Sequence, residues 1–232
     1  MDQWITLETP HGAVSAWQAL PSTPAEAGLV VIQEIFGANA HIRAVAERYA
    51  MEGYAVLAPA LFDPLQPGVE LDYDAAGFAR GRALVDQLGL ESALAIVDTA
   101  AAALRAYLAG IGAPPRVGVV GYCWGGTVAL LAALELGLPA VSYYGARNLP
   151  LLDDPHLVSA PKAPVMFHFG EHDPSIPPDA VQAHRRALPS MQVCTYPAGH
   201  AFNRDVDPSA FHPESAALAL RRSLGFFADH LR

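Results

Sequence analysis

The feature that most constrains this chain is a series of short apolar runs set between helical patterns. LVVIQE (29–34), YAVLAPAL (54–61), RVGVVGYC (116–123), PAVSYYG (139–145), PVMFHFG (164–170) and MQVCTYP (191–197) favour strands, and several lack the polar alternation of a half-exposed sheet. Continuous apolar strands are expected where helices cover both faces of a parallel sheet. Helical spacing of apolar residues falls between them, at 40–52, 76–88, 91–109, 126–136, 178–188 and 212–231. Alternation in this order dictates an α/β fold with a mostly parallel sheet, helices on both faces and right-handed crossovers. Residues 3–9 and 13–19 add a hairpin turned at Pro10–His11–Gly12. No repeat, low-complexity tract or linker interrupts the pattern. The proline-rich stretch PALFDPLQP (59–67) reads as a surface loop, so one domain is expected over residues 1–232.

Composition excludes some partners. With 14 basic against 23 acidic side chains the chain carries a net −9, which repels nucleic acid and anionic membrane surfaces. The uncharged run from Val117 to Leu134 is long enough to raise a membrane span, but Gly118, Gly121, Gly125 and Gly126 break it into a buried strand, a turn and a buried helix. No other segment reads as a span. The N-terminal MDQWITLETPHG shows no basic segment followed by an apolar one, and two cysteines are too few for a disulfide framework. A reducing cytoplasm is the expected compartment. Oligomeric state is not legible.

In parallel sheets of this kind, ligands bind beyond the carboxyl ends of the strands. That rule selects GYCWGG (121–126), where Cys123 stands at the tip of one strand with a helix starting behind it. Gly121-x-Cys123-x-Gly125 has the spacing of a nucleophile elbow with cysteine in place of serine. A tight strand-to-helix turn holds its nucleophile in a strained backbone and needs small residues two positions either way. The helix N-terminus behind favours thiolate, and the Trp124 N–H points where an oxyanion would form. Three plainer readings compete: a buried structural thiol, a nucleotide loop and a disulfide to Cys194. The first does not need flanking glycines, the second lacks its signature, and the third conflicts with a reducing compartment.

An elbow nucleophile requires an acid and then a histidine later in the chain. Asp173 follows the 164–170 run (FGEHDP) and His200 follows the 191–197 run (YPAGHAF), so the order is met. Aspartate before proline is also a common turn residue, and a histidine is usually solvated or satisfied locally. The remaining histidines at 11, 41, 156, 184, 212 and 230 take that plainer reading. His168–Glu171–His172 spells a zinc-peptidase spacing, but that motif needs a helix, and here a strand and Pro174 flank it, so no metal is expected. Glu34, ending an apolar strand, is either a strand-end charge or a carboxylate near the thiol. Beside it, the Ile35 N–H is a candidate second oxyanion donor. Arg204 is either a solvated loop cation or a fork for a substrate carboxylate.

With these residues in hand, the chain resembles the dienelactone hydrolase (carboxymethylenebutenolidase) family of the α/β-hydrolase fold. The resemblance runs from about Leu29 to Phe227 through QEIFGANAHIR (33–43), GYAVLAPALF (53–62), GYCWGG, AVSYYG (140–145), GEHDP (170–174) and AGHAF (198–202). It implies a Cys123–His200–Asp173 triad without cofactor, acting on a small lactone or ester. It also implies that Glu34 contacts and helps activate the thiol, that Ile35 and Trp124 donate to the oxyanion, and that Arg204 binds the substrate carboxylate. Phe36 and Tyr144 fall at its substrate pocket. A second substrate arginine is expected near 79–82, where both Arg80 and Arg82 stand, and Ala201 replaces the family's serine after the histidine. The expected function is a cysteine-dependent hydrolase working through a thioester. The rivals are a broad esterase or thioesterase on the same scaffold and a non-catalytic thiol-reactive binding protein.

Overall fold

In a computed structural model describing residues 2–232, eight strands hydrogen-bond in the order β1-β2-β4-β3-β5-β6-β7-β8. The strands are β1 Gln3–Thr9, β2 Gly12–Ala19, β3 Ala27–Ile32, β4 Tyr54–Pro59, β5 Val117–Tyr122, β6 Ala140–Tyr143, β7 Val165–Gly170 and β8 Gln192–Tyr196. β1 and β2 form the expected hairpin, β2 meets β4 antiparallel, and the β3–β4, β6–β7 and β7–β8 pairs are parallel. β3 to β7 are buried along their whole length, which is why their sequences do not alternate. This is the α/β-hydrolase arrangement of a mostly parallel sheet and intervening helices. The chain packs as two compact units, one of residues up to 119 together with 231–232, the other of residues 120–230.

In the first unit, helix α1 (Ala40–Met51) starts at Asn39, whose side chain accepts the Ile42 N–H, and buries Ile42, Val45, Ala46 and Tyr49. Helix α2 (Ala75–Gly110) is capped by Asp74 at Gly77 N and interrupted at Gly89, whose φ of 76° and ψ of 165° leave the helix. The interruption separates the two helices that the spacing expects. α2 lies against β3 closely enough that a Cβ on Gly28 would sit 3.2 Å from Leu104 Cβ. Among the described residues α2 is the one helix long and apolar enough to cross a membrane, which the sequence reading passed over. Its buried positions Ala93, Ile96, Val97, Ala100, Leu104 and Leu108 recur at helical spacing, the pattern of a helix with one face on a core.

The stretch 59–67 is not simply a surface loop: Ala60, Leu61, Phe62 and Asp63 are buried, Pro64 and Leu65 are half-buried, and only Gln66 and Pro67 are fully exposed. The Asp63 carboxylate accepts the Ser15 N–H at 2.8 Å and the Gly68 N–H at 3.0 Å, so it ties the loop to β2.

In the second unit, the run that resembled a membrane span is β5 and helix α3 (Trp124–Glu135), buried from Trp124 to Leu134. Two four-residue helices, α4 (Leu149–Leu152) and α5 (Pro155–Val158), were not expected. Each has a proline in its first turn, a position that needs no N–H but carries no periodic signal. Helix α6 (Pro178–Ala187), edge strand β8 and helix α7 (Pro213–Leu231) complete the unit.

Candidate active site

The site is built at the carboxyl ends of β5, β7 and β8. Cys123 follows β5 with φ 53° and ψ −119°, a conformation that L-residues rarely adopt. Its neighbours explain how the turn is held. A Cβ on Gly121 would lie 1.9 Å from the Gly125 carbonyl oxygen, and one on Gly126 would lie 2.7 Å from the Tyr143 carbonyl oxygen. The Cys123 N–H donates to that same Tyr143 carbonyl at 3.0 Å, and the Cys123 carbonyl accepts from Gly126 N at 2.9 Å. The thiol is left half-buried, with α3 beginning at the next residue, Trp124. Both cysteines are free, so the disulfide reading is overturned.

Asp173 follows β7 and is 3% exposed. Its two carboxylate oxygens are engaged differently. Oδ1 accepts the Ser175 N–H at 2.8 Å and forms the turn; Oδ2 meets His200 Nδ1 at 2.6 Å. His200 follows β8, and its loop comes close because β7 ends in glycine: a Cβ on Gly170 would lie 2.3 Å from Ala198 O. On the other side of the ring, His200 Nε2 lies 3.3 Å from Cys123 Sγ. The sequence-selected Cys123, His200 and Asp173 are therefore one hydrogen-bonded row. Tyr144 joins them, its ring centroid 5.1 Å from that of His200 and T-shaped to Phe202 at 5.4 Å. Tyr144 (φ 39°) and Ala201 (φ 58°) are, with Cys123, the non-glycine residues in the left-handed region among those described. All three lie at this site, as strained backbone tends to.

Burial alone would lower the His200 pKa. The hydrogen bond to Asp173, the hydrogen bond to Cys123 and the attraction of both groups outweigh it, and the imidazole is pushed up to about 10. These surroundings favour the protonated form of the ring. An imidazolium beside sulfur at a helix N-terminus is the setting that makes a thiol nucleophilic near neutral pH.

Arg204 is not the solvated cation that one reading allowed. It is 8% exposed and its Nη1 donates to Asp207 at 3.3 Å. In the first unit, Glu34 is fully buried just past β3, which removes the strand-end surface charge from consideration. Ile35 and Phe36 are buried, and Phe36 packs edge-on to Tyr73 at 4.7 Å. The Ile35 carbonyl lies where a Cβ on Gly81 would be 2.2 Å away, so Gly81 is what lets α2 approach this loop. Arg80 is exposed and donates to Gln66 Oε1 at 2.7 Å, whereas Arg82 is exposed over the Phe78 ring. His168 lies on β7 and His172 in the turn after it, and no cluster of three or more potential metal-binding side chains occurs among the described residues. The sequence reading missed the Tyr143 carbonyl, which no side-chain motif could reveal, and the Phe202 wall, which GHAF carried unread.

Known proteins resemble this chain in sequence and in fold. A sequence profile of the dienelactone hydrolase family matches residues 14–231, across both compact units. The carboxymethylenebutenolidase of Pseudomonas sp. strain P51 is 33% identical over 222 residues, covering 92% of this chain and 89% of its own. A candidate carboxymethylenebutenolidase of Synechocystis is 35% identical, covering 88% and 86%. Among solved structures, a candidate dienelactone hydrolase from Klebsiella pneumoniae superposes with a TM-score of 0.81 at 30% identity, covering 98% of each chain. The chain belongs to the dienelactone hydrolase family and is a carboxylic ester hydrolase of the α/β-hydrolase fold.

Proposed function

We propose that the chain is a cysteine-dependent hydrolase that opens a small carboxylate-bearing lactone or ester through a thioester. The observation that carries this reading is the His200 imidazole, bonded at Nε2 to Cys123 and at Nδ1 to Asp173. Cys123 thiolate attacks the carbonyl carbon, the C–S bond forms, and the carbonyl electron pair moves onto oxygen. The Trp124 N–H, first of α3, donates to that oxyanion. The tetrahedral centre collapses with cleavage of the C–O bond, and His200 passes its proton to the departing alkoxide or enolate.

Acylation then changes the histidine. Of the influences that raise its pKa, the two from Cys123 disappear when sulfur becomes a neutral thioester. The ring is left neutral with the Asp173 bond retained, able to take a proton from water as the hydroxyl attacks the thioester. The second collapse breaks C–S and regenerates the thiolate–imidazolium pair. One ring thus serves as acid, then as base.

The family pattern adds Ile35 N–H as second oxyanion donor, Glu34 as the carboxylate that activates the thiol, and Phe36, Tyr144 and one of Arg80 or Arg82 around the substrate. It assigns the substrate carboxylate to Arg204, which would exchange its Asp207 contact for the ligand. A reducing cytoplasm and a single functional domain remain part of the reading.

The test is steady-state hydrolysis of cis- and trans-dienelactone beside p-nitrophenyl acetate, for wild type and Cys123→Ala. Cys123-dependent turnover of a dienelactone supports chemistry and substrate class together. Cys123-dependent turnover of the neutral ester alone keeps the mechanism and moves the substrate to the broad-esterase reading. Stoichiometric alkylation without turnover would mean a thiol-reactive binding protein.

A further inference from the structure

Beneath the elbow lies a buried polar chain that the proposed chemistry does not use. His168 on β7 is 0% exposed, with Nδ1 2.7 Å from Tyr196 Oη and Nε2 3.0 Å from Ser223 Oγ on α7. Ser223 Oγ also lies 2.8 Å from Tyr143 Oη and donates to the Ala219 carbonyl at 2.9 Å. Counting protons gives one consistent set of directions. A serine hydroxyl has one proton, and here it goes to Ala219, so both other partners must donate to it. Tyr143 therefore donates its phenol proton to Ser223, and His168 is the Nε2–H tautomer. Nδ1 is left as an acceptor and takes the Tyr196 hydroxyl proton. Burial, and to a lesser degree the nearby Arg222 cation, lower the His168 pKa to about 3, so the ring stays neutral in this arrangement. Tyr196 also hydrogen-bonds with Arg222 and Cys194, while His168, Ser223 and Tyr143 are satisfied together in this orientation, the condition under which a buried network specifies geometry.

The chain ends on the two residues that grip the active site. Tyr143, whose phenol is held by Ser223, supplies the carbonyl that accepts the Cys123 N–H. Tyr144, whose N–H donates to the His168 carbonyl at 2.8 Å, carries the ring beside His200. Cys123 and Tyr144 both have positive φ, conformations that persist only when their surroundings over-determine them.

We infer that His168, acting through Ser223, is a positioning residue that holds Tyr143 and Tyr144 and thereby sets the alignment of Cys123 with His200. It touches neither sulfur nor substrate. This rests on the proposed cysteine chemistry, and the two can fail separately: retained turnover in Cys123→Ala removes the chemistry, whereas the variants below address only alignment.

The experiment uses the full chain with Tyr143→Phe, His168→Asn and His168→Gln. Tyr143→Phe keeps the ring and removes only the phenol proton. His168→Asn reaches the Tyr196 end and loses the donor to Ser223; His168→Gln places an amide N–H where Nε2–H stood. For each, p-nitrophenyl acetate hydrolysis, thermal melting and the rate of iodoacetamide alkylation at Cys123 are measured, the last by peptide mass because Cys194 is a second free thiol. Misplacement of reacting groups by an ångström-scale shift costs about 10- to 100-fold. Tyr143→Phe and His168→Asn should lose that much in kcat with KM nearly constant, with Cys123 alkylation slowed in parallel. His168→Gln should recover most of both rates. The inference is overturned if folded Tyr143→Phe and His168→Asn keep kcat and alkylation at wild-type values, even with a lower melting temperature, since the network would then be structural only.

Discussion

Replacing Asp173 by asparagine changes one atom and should disable the site through the tautomer of its neighbour. In the native loop Oδ1 accepts the Ser175 N–H at 2.8 Å, and that bond also fixes the turn. An asparagine carbonyl keeps this acceptor role, so the amide nitrogen takes the place of Oδ2, 2.6 Å from His200 Nδ1. Nδ1 must then accept instead of donate, which puts the ring proton on Nε2, facing Cys123. The Asp173 side chain is 0% exposed, so no water can substitute for the lost charge. Two losses combine: the imidazolium loses its charged partner, and the neutral ring presents the wrong nitrogen to water. An Asp→Asn change in a triad of this logic costs about 10⁴-fold in kcat, near 5 kcal/mol of barrier. The assay is p-nitrophenyl acetate hydrolysis from pH 5 to 10, with circular dichroism to show that the Ser175 turn survives. A well-folded Asp173→Asn enzyme within about tenfold of wild-type kcat would refute the argument that Asp173 orients His200.

Other outcomes follow from the same geometry. Gly121→Ala drives a Cβ to 1.9 Å from the Gly125 carbonyl, backbone that cannot swing aside, so it should abolish activity; normal kcat would show that the elbow tolerates another conformation. Gly170→Ala pushes on Ala198 O at 2.3 Å and should displace the loop carrying His200, lowering kcat more than melting temperature, both read on the same preparation. The His200 pKa is raised from 6.5 to about 10, so its ion pair stabilises the fold fully below pH 6.5 and less as pH rises through 10. Urea unfolding between pH 6 and 10.5 should show that loss in wild type and a flatter profile in Cys123→Ala; identical profiles would mean that Cys123 does not help raise the His200 pKa. His168 runs the opposite way: its pKa is lowered to about 3, so the unfolded chain takes up the proton first and stability falls as pH drops from 6.5 to 3. His168→Gln should flatten that acid limb of the same unfolding series.

Much of this was legible in the chain because parallel strands buried on both faces announce themselves as apolar runs, and because the site obeys a topological rule. Cys123, Asp173 and His200 each follow a strand, and no packing detail was needed to find them. The break at Gly89 was readable as two helical patterns even though they meet end to end. What the sequence withheld was packing of another kind. Asp63 is buried because two backbone N–H groups from β2 and Gly68 need an acceptor, a demand invisible in PALFDPLQP. His168 appeared only within a misleading zinc spacing, because its partners Tyr196 and Ser223 lie 28 and 55 residues away. The short helices α4 and α5 are a single turn each, too brief for periodicity to register.

The central claim is that Cys123 carries the acyl group. It is tested most directly by quenching the enzyme in acid during turnover of p-nitrophenyl acetate and reading the acylated peptide by mass. The account expects a single acetyl thioester on Cys123, cleaved by hydroxylamine, accumulating in His200→Ala and absent from Cys123→Ala along with turnover. An acyl group on another residue, or sustained turnover by Cys123→Ala, would contradict it.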